Sequence, residues 1–456
     1  MTGIGTQAYD RSAIDARLGW GRRLGYACGN AGLMIGLSPI TLLLLFYLTD
    51  VIGLRAGQAA LAIALPRLWD ALIGPALGAW IERLAANMKR RTPIALVAGG
   101  AYLAGLVLLF SLPQLQSAIA IQIAVILLLI LSSVSETAFT VSQFALATEL
   151  AGSESELSAL LSLSGGIGQA SLVAAAAMAP LLVTRSGGGR AGYALMAGEI
   201  ALVAALAIAA FVAATAQVPV RHAPADAARL SLRAALRVTA ANRAFYCLMA
   251  YLLCLSAASA FIGSVLPFAS RYVLASGENG LALLAAASGA GIVGGMSLAP
   301  WLARRLGAGR AIRLCTLAIA ALLGALFLVG YGPIWANWIA IGGVGLASGA
   351  ATILLQTIIL ETVEYRMGAA VVATGFYLGI MVAGFKLGTS LGSLAAGALL
   401  ELIGFASGGA RQTAVTLIGL RVGYTLVPLI LVVVGDQFLR RYGAVRNGLS
   451  ARRNAA

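Results

Sequence analysis

Arg67, Asp70, Glu136, Glu199, Lys386 and Arg421 carry charge inside stretches that are otherwise apolar. A charged side chain at the centre of a bilayer costs at least ~2.5–3.5 kcal/mol on insertion scales, so it pairs with an opposite charge or faces water. Arg67 and Asp70 stand three residues apart, on one face of a helix. Lys386, within GFKLGTSLG, is one of two lysines in the chain, and the other is Lys89. A lone ammonium in such a setting loses its proton or finds a carboxylate, and Asp70 and Glu136 are the available ones. A buried acid tuned by a lysine can take up and release a proton. Asp70, Glu136 and Lys386 are therefore candidates for ion coupling. The plainer alternative is a set of salt bridges that only hold helices together. Glu199 and Arg421 are read that way, and Arg67 stands between the two readings.

Other chemistry is scarce. The pattern GxxxxGK[ST] is absent, which removes the phosphate cradle that ATP-driven transport would need. His222 is the only histidine, so a histidine proton relay is excluded. Cys28, Cys247, Cys254 and Cys315 lack paired metal-ligand spacing. No nucleophile–base pair or metal constellation is visible, so no enzyme and no cofactor are expected.

The elements that position these charges follow from composition. The 456 residues are 60% hydrophobic and 10% charged, with a mean hydropathy of +0.94. Soluble domains carry about a quarter charged residues, so the solvent of this chain is lipid. A spanning helix takes about 20 apolar residues, and an open strand would leave backbone groups unsatisfied in hydrocarbon. Twelve spans are expected, near 24–50, 57–81, 94–112, 118–150, 158–184 and 192–216, then 244–275, 280–302, 311–329, 335–362, 370–404 and 412–438. The fold class is an all-α membrane protein with twelve transmembrane helices. Residues 1–23 are polar and basic and precede an uncleaved first span.

Arginine and lysine gather at both termini and in the loops after even-numbered spans. The positive-inside rule then places both termini in the cytoplasm, in an inner-membrane protein. The net charge of +15 is spread over these loops and fits contact with anionic lipid rather than nucleic acid. The longest internal polar stretch, 217–243, separates six spans from six. The expected organisation is an N-tail (1–23), a first bundle (24–216), a linker (217–243), a second bundle (244–438) and a C-tail (439–456). The halves echo each other, with PALGAWIERLAANMKRR from Pro75 after the second span and LAPWLARRLGAGRAIR from Leu298 after the eighth. Parallel halves of this kind are one transporter design, with binding at their interface near mid-membrane.

Several segments resemble the glycoside–pentoside–hexuronide:cation symporters, the melibiose-permease group of the major facilitator superfamily. They are FYLTDVIGL from Phe46, RLWDALIGPALGAWIE from Arg67, ATEL from Ala147, LETVEYRMG from Leu360 and FKLG from Phe385. The resemblance implies the major facilitator fold, two six-helix bundles, with solute movement coupled to sodium or protons. It implies coupling roles for Asp70 and Lys386, and it aligns Thr140 with a helix-four carboxylate that Glu136 neighbours by one turn. It also implies gating roles for Glu82, Arg83, Arg90 and Arg91, with Lys89, in the loop after span two. By the same matching, Glu149, Glu361 and Glu364 belong to the gating set together with Arg67. Gly74 stands where the family has a second helix-two carboxylate, and Met34 stands where it has a sugar-gripping acid. These losses remove hard oxygen ligands and favour protons over sodium, and they favour an amphipathic or aromatic solute over a free sugar.

The expected cavity is lined by spans one, two, four, five, seven, eight, ten and eleven. Asn30, Met34, Ser38, Trp69, Gln143, Gln169, Gln356 and Tyr377 are its candidate solute contacts. The expected function is secondary transport of a small molecule by alternating access. The expected partners are the solute and membrane lipid, with no nucleic acid; the oligomeric state is left open, a monomer being compatible with the sequence. Two rivals remain: a proton-driven efflux antiporter for amphipathic compounds, and a transport-inactive membrane sensor or assembly factor.

Overall fold

The structure is a computed structural model that describes residues 19–88, 90–113, 117–218, 243–274, 277–329, 334–367 and 371–454. Twelve long helices run through it. The first half holds α1 (Trp20–Leu42), α2 (Ala56–Met88), α3 (Thr92–Phe110), α4 (Ala118–Leu150), α5 (Glu154–Arg185) and α6 (Gly189–Thr215). The second holds α7 (Arg243–Phe268), α8 (Gly277–Leu306), α9 (Ala308–Val329), α10 (Ile334–Met367), α11 (Val371–Leu402) and α12 (Ala414–Asn454). Ten of them are long and apolar enough to cross a membrane, and α1 with its bent extension Leu44–Val51 is an eleventh. The twelfth is α2, whose 33 residues include Arg67 and Asp70. The helices alternate in direction, so both ends of the described chain lie on one face, called proximal below, and the other face is distal. The first and last helices outrun their hydropathy boundaries: α1 begins at Trp20, and α12 continues as helix to Asn454.

The first helix of each half ends alike. Pro39 lies inside α1 and its ring removes a backbone donor. The chain then turns by 43° through Leu44–Phe46 into a π-helical turn, Tyr47–Val51. In α7, Pro267 precedes a second π-helical turn, Ala269–Val273. Such turns are frequent at functional sites, and these two meet at the distal face.

Packing within the halves relies on small residues, since lipid supplies little apolar driving force between helices. A Cβ on Gly295 of α8 would lie 1.9 Å from the Leu346 carbonyl oxygen, and one on Gly349 of α10 would lie 2.2 Å from that of Ile292. Glycine alone permits this approach of α8 to α10. The outward faces carry exposed Val97, Leu206 and Val415, as a lipid-facing surface does. One buried core gathers Tyr26, Leu33, Phe139 and Phe211 of the first half, and it extends into Phe261, Phe268, Leu281 and Leu400 of the second. The second half keeps its own core around Phe245, Tyr251, Ile312 and Leu354. The shared core includes the distal ends of α7 and α11. The distal side is thus where the two bundles are sealed together.

Candidate functional site

Along α2 and α11 the two halves touch in a ladder that descends from the distal face. A Cβ on Gly397 of α11 would fall 2.0 Å from the Ala60 Cβ of α2, so the helices are in close contact there. Just above, the Gly57 backbone N–H donates to Glu401 Oε2 at 3.0 Å. Glu401 therefore caps, from the opposite half, the N-terminus of α2, where a carboxylate is favoured by the helix dipole. Lower down, Arg67 Nη1 donates to Ser393 Oγ at 3.4 Å, and Ser393 Oγ lies 3.5 Å from Ser264 Oγ of α7.

At the foot of the ladder the Lys386 ammonium donates to Asp70 Oδ2. The Thr137 hydroxyl of α4 donates to Asp70 Oδ1 at 2.9 Å. Both carboxylate oxygens thus carry a donor. The Asp70 side chain is 7% exposed and that of Lys386 29%. Lys386 reaches this position because α11 lies tightly on α7: a Cβ on Gly388 would meet Ser256 Oγ at 1.9 Å, and one on Gly392 would meet the Ala257 oxygen at 2.2 Å. At 100° per residue these glycines lie roughly opposite Lys386, so the face left toward α2 carries the ammonium. Glu136, beside Thr137 on α4, is half-buried and within electrostatic reach of Lys386, Asp70 and Arg67. Two acids and two bases from three helices therefore form one cluster with no net charge when all are ionised.

One helical turn from Thr137 toward the proximal face, Thr140 enters a small polar cavity of about 80 Å³ between α1, α4 and α5. Asn30, Gln143, Phe144 and Ser164 are among its walls. Asn30 Nδ2 donates to the Ser164 oxygen at 2.9 Å, Gln143 Nε2 to the Tyr26 oxygen at 3.2 Å, and the Tyr26 hydroxyl to the Gln143 oxygen at 3.0 Å. The cavity holds amides, hydroxyls and two aromatic rings, with no charged side chain in its wall among the described residues.

The remaining candidates divide plainly. Met34 is half-buried against the first-half core and would meet a Cβ on Gly168 at 3.3 Å. Gln169 is half-buried on α5, Trp69 is exposed beside Asp70, and Gln356 is exposed on α10. Ser38 is fully buried, and its hydroxyl has no hydrogen-bond partner among the described residues. It does not line the polar cavity. Arg91 Nε and Glu149 Oε1 form a buried ion pair at 2.8 Å that ties the start of α3 to the end of α4 near the proximal face. Arg83 and Arg90 are exposed. The side chains of Glu82, Glu361, Glu364 and Tyr377 lie outside the described residues, as does Lys89. Glu199 and Arg421 are exposed on their helices, away from the cluster's named contacts.

A second polar contact between the halves escaped the sequence reading. Asp50, in the π-helical turn ending α1, accepts from Arg271 Nη1 at 2.6 Å and from the Tyr272 hydroxyl, both in the turn ending α7. The Asp50 side chain is 1% exposed and Arg271 is 50% exposed. Phe46 stacks edge-on against Phe268 at 5.1 Å, and the Gly408 N–H donates to the Thr49 oxygen at 2.9 Å. The available signal was symmetry: each half's first span ends in a charged residue just after a phenylalanine, with opposite signs, in FYLTD and FASR. Every polar contact between the halves named here lies between the coupling cluster and the distal face.

A family model described as MFS/sugar transport protein, MFS being the major facilitator superfamily, matches residues 25–443. Among solved structures, the fold is similar to a bacterial homologue of the human lysosomal transporter Spinster in an inward-facing, unoccupied conformation, at 16% identity and a TM-score of 0.68 over 94% of this chain and 96% of that one. It is also similar to the nucleoside transporter NupG, at 16% identity and a TM-score of 0.64 over 94% and 99%. A bacterial homologue of the human drug peptide transporters PepT1 and PepT2 aligns at 14% identity and a TM-score of 0.65 over 96% and 99%. At these identities the likeness speaks for the fold alone. No curated protein matches the sequence significantly. With the family model running over nearly its whole length, the chain belongs to the MFS/sugar transport protein family and is a multi-pass membrane transporter rather than an enzyme.

Proposed function

We propose that the chain moves a small amphipathic or aromatic solute across the inner membrane by alternating access, driven by protons, with both termini in the cytoplasm. One observation carries this reading: Lys386 of the second half is paired with Asp70 of the first, and of the polar contacts between the halves named above this one lies farthest from the distal face. A proton taken up by Asp70 or Glu136 removes a negative charge from a balanced cluster. Lys386 then has less to hold it to α2, and the inner end of the ladder loosens. Loss of the proton restores the pairing. Protonation and the tie between the bundles are thereby coupled, and that is what a driven transporter requires.

Sodium fits less well. A hard cation is held by several oxygens, and here the Lys386 ammonium already occupies the place beside Asp70. Among the described residues no group of three or more metal-ligating side chains forms. The cavity under the cluster supports the solute class. Asn30, Gln143, Thr140 and Ser164 suit a neutral hydrogen-bonding group, and Phe144 and Leu161 suit an apolar body. In this conformation the latch of Asp50, Arg271 and Tyr272 closes the distal face, so solute exchange takes place from the proximal side.

The test starts with a thermal-shift screen of purified protein against sugars, lysolipids and organic acids, with and without sodium. Each hit is then assayed for uptake into proteoliposomes under a proton or a sodium gradient. The expected result is proton-driven flux that collapses in Asp70→Asn. Unchanged proton-driven uptake in that variant, or flux that follows sodium alone, overturns the assignment. Binding without flux under any gradient would favour the sensor alternative.

A further inference from the structure

A second, larger cavity lies away from the coupling cluster. It has a volume of about 350 Å³ and sits at the distal face between the ends of α1, α5, α6, α7 and α8. That volume is at the lower end of the range, about 300–1,000 Å³, that holds a small organic ligand. Its walls are apolar along Leu43, Pro180, Val183 and Leu281, aromatic at Phe46 and Tyr193, and cationic at Arg271. Among the described residues no acidic side chain lines it.

One guanidinium in the wall and a second beside it have donors to spare. Arg271 is half exposed and gives one nitrogen to Asp50, while a guanidinium carries five N–H donors. Arg190 is not itself a lining residue; it lies on the first turn of α6, between the lining residues Gly189 and Tyr193. Its charge acts on Tyr47, which packs against Tyr193 at 4.9 Å between ring centroids. Arg190 Nη1 is buried without a hydrogen-bond partner among the described residues. A buried donor left unsatisfied is costly and needs an explanation, and for a guanidinium the natural one is an acceptor with negative charge. The same turn supplies a further attraction. α6 begins at Gly189 with no side chain capping it, so its first N–H groups favour an anion.

We propose that this distal cavity is a second ligand site, which takes the anionic end of an amphiphile between Arg190 and Arg271 and lays its apolar body along Leu43, Val183 and Leu281. The shared chemistry is a carboxylate or phosphate on an acyl chain, from a free fatty acid or from a lipid headgroup. The walls come from both halves, so an occupant bridges them and holds the distal face shut. The site does not depend on which solute crosses the crevice or on the coupling ion.

The experiment is photolabelling of the purified full chain in nanodiscs with three diazirine probes: a fatty acid, a phosphatidic acid and a fatty alcohol. Labelled peptides are mapped by mass spectrometry. Labelling by either anionic probe is expected to concentrate on residues 180–193 and 267–281. It should fall at least fivefold in Arg190→Gln and in the cavity-filling variant Val183→Trp, with the fatty alcohol labelling the site weakly in all of them. If Arg190→Gln is not monodisperse, Arg190→Lys, which keeps the charge, should retain labelling while Leu281→Trp loses it. Labelling by the fatty acid alone identifies a free amphiphile, and labelling by phosphatidic acid alone identifies a headgroup. Labelling spread evenly over the lipid-facing helices, or equal for the alcohol and the acids, or unchanged in these variants, overturns the proposal.

Discussion

Replacing Asp50 by asparagine removes the charge at the centre of the distal latch while keeping its shape. Asp50 is buried and accepts one hydrogen bond from a guanidinium at 2.6 Å and one from the Tyr272 hydroxyl. A hydrogen bond to a charged group contributes about 1.5–3 kcal/mol. Asparagine still accepts from Tyr272, and half of Arg271 is already in solvent, where its ion pair counts for less. The expected weakening is therefore about one such bond, ~1.5–3 kcal/mol, which raises the ratio of distal-open to distal-closed molecules roughly tenfold to a hundredfold. The Glu401 cap on Gly57 and the Phe46–Phe268 contact remain, so opening is favoured without the bundles coming apart. Spin labels at Ser111 and Leu402, exposed near the distal ends of the two halves, report the change by electron–electron double resonance. A longer-distance population should grow in Asp50→Asn and in Arg271→Gln, and the double variant should add little to either single one. Distance distributions identical to the wild type in both single variants would refute the latch.

Other outcomes follow from the same geometry. Gly397→Val forces α2 and α11 apart at the distal end, because its Cβ would start 2.0 Å from that of Ala60, and the same spin labels should report opening. Arg91→Gln leaves Glu149 buried without its partner. Losing one member of a buried pair costs ~3–5 kcal/mol, so the melting temperature of the purified protein should drop, and the Arg91→Gln/Glu149→Gln double variant should recover part of the loss. Gly168→Ala puts a methyl group 2.2 Å from Asn30 Nδ2 and displaces its bond to Ser164. One neutral hydrogen bond contributes ~0.5–1.5 kcal/mol, so the KM of an identified solute should rise about two- to tenfold with little change in kcat. Glu136→Gln should keep solute-for-solute exchange and lose accumulation driven by a proton gradient, measured in proteoliposomes.

The spans were legible in the sequence because lipid admits so few alternatives to an apolar helix. The charged residues within them were legible for the same reason. Arg67, Asp70, Glu136 and Lys386 stood out against an apolar background, and the structure gathers them into one cluster on α2, α4 and α11. Helix rotation was far less legible. A helix facing lipid on one side and protein on the other is apolar all round, so nothing in the sequence told the buried Ser38 or the exposed Gln356 from the cavity-lining Asn30 and Gln143. Asp50 and Arg271 were hidden for another reason. Charges at span ends are ordinary in loops, and only the meeting of two π-helical turns from opposite halves turns this pair into a latch. Arg190 likewise reads as a loop charge until its buried nitrogen is seen.

Lysine chemistry offers the most direct test of the coupling cluster, and it needs no solute. Lys89 and Lys386 are the only lysines, so Lys89→Arg protein labelled with ¹⁵N-lysine gives a single side-chain nitrogen signal. The Lys386 ammonium signal should be displaced from that of free lysine. That signal should move when Asp70 becomes asparagine, and move again, by a smaller amount, when Glu136 becomes glutamine. A signal matching solvent-exposed lysine and indifferent to both substitutions would contradict the claim that Lys386 joins the two bundles through those acids.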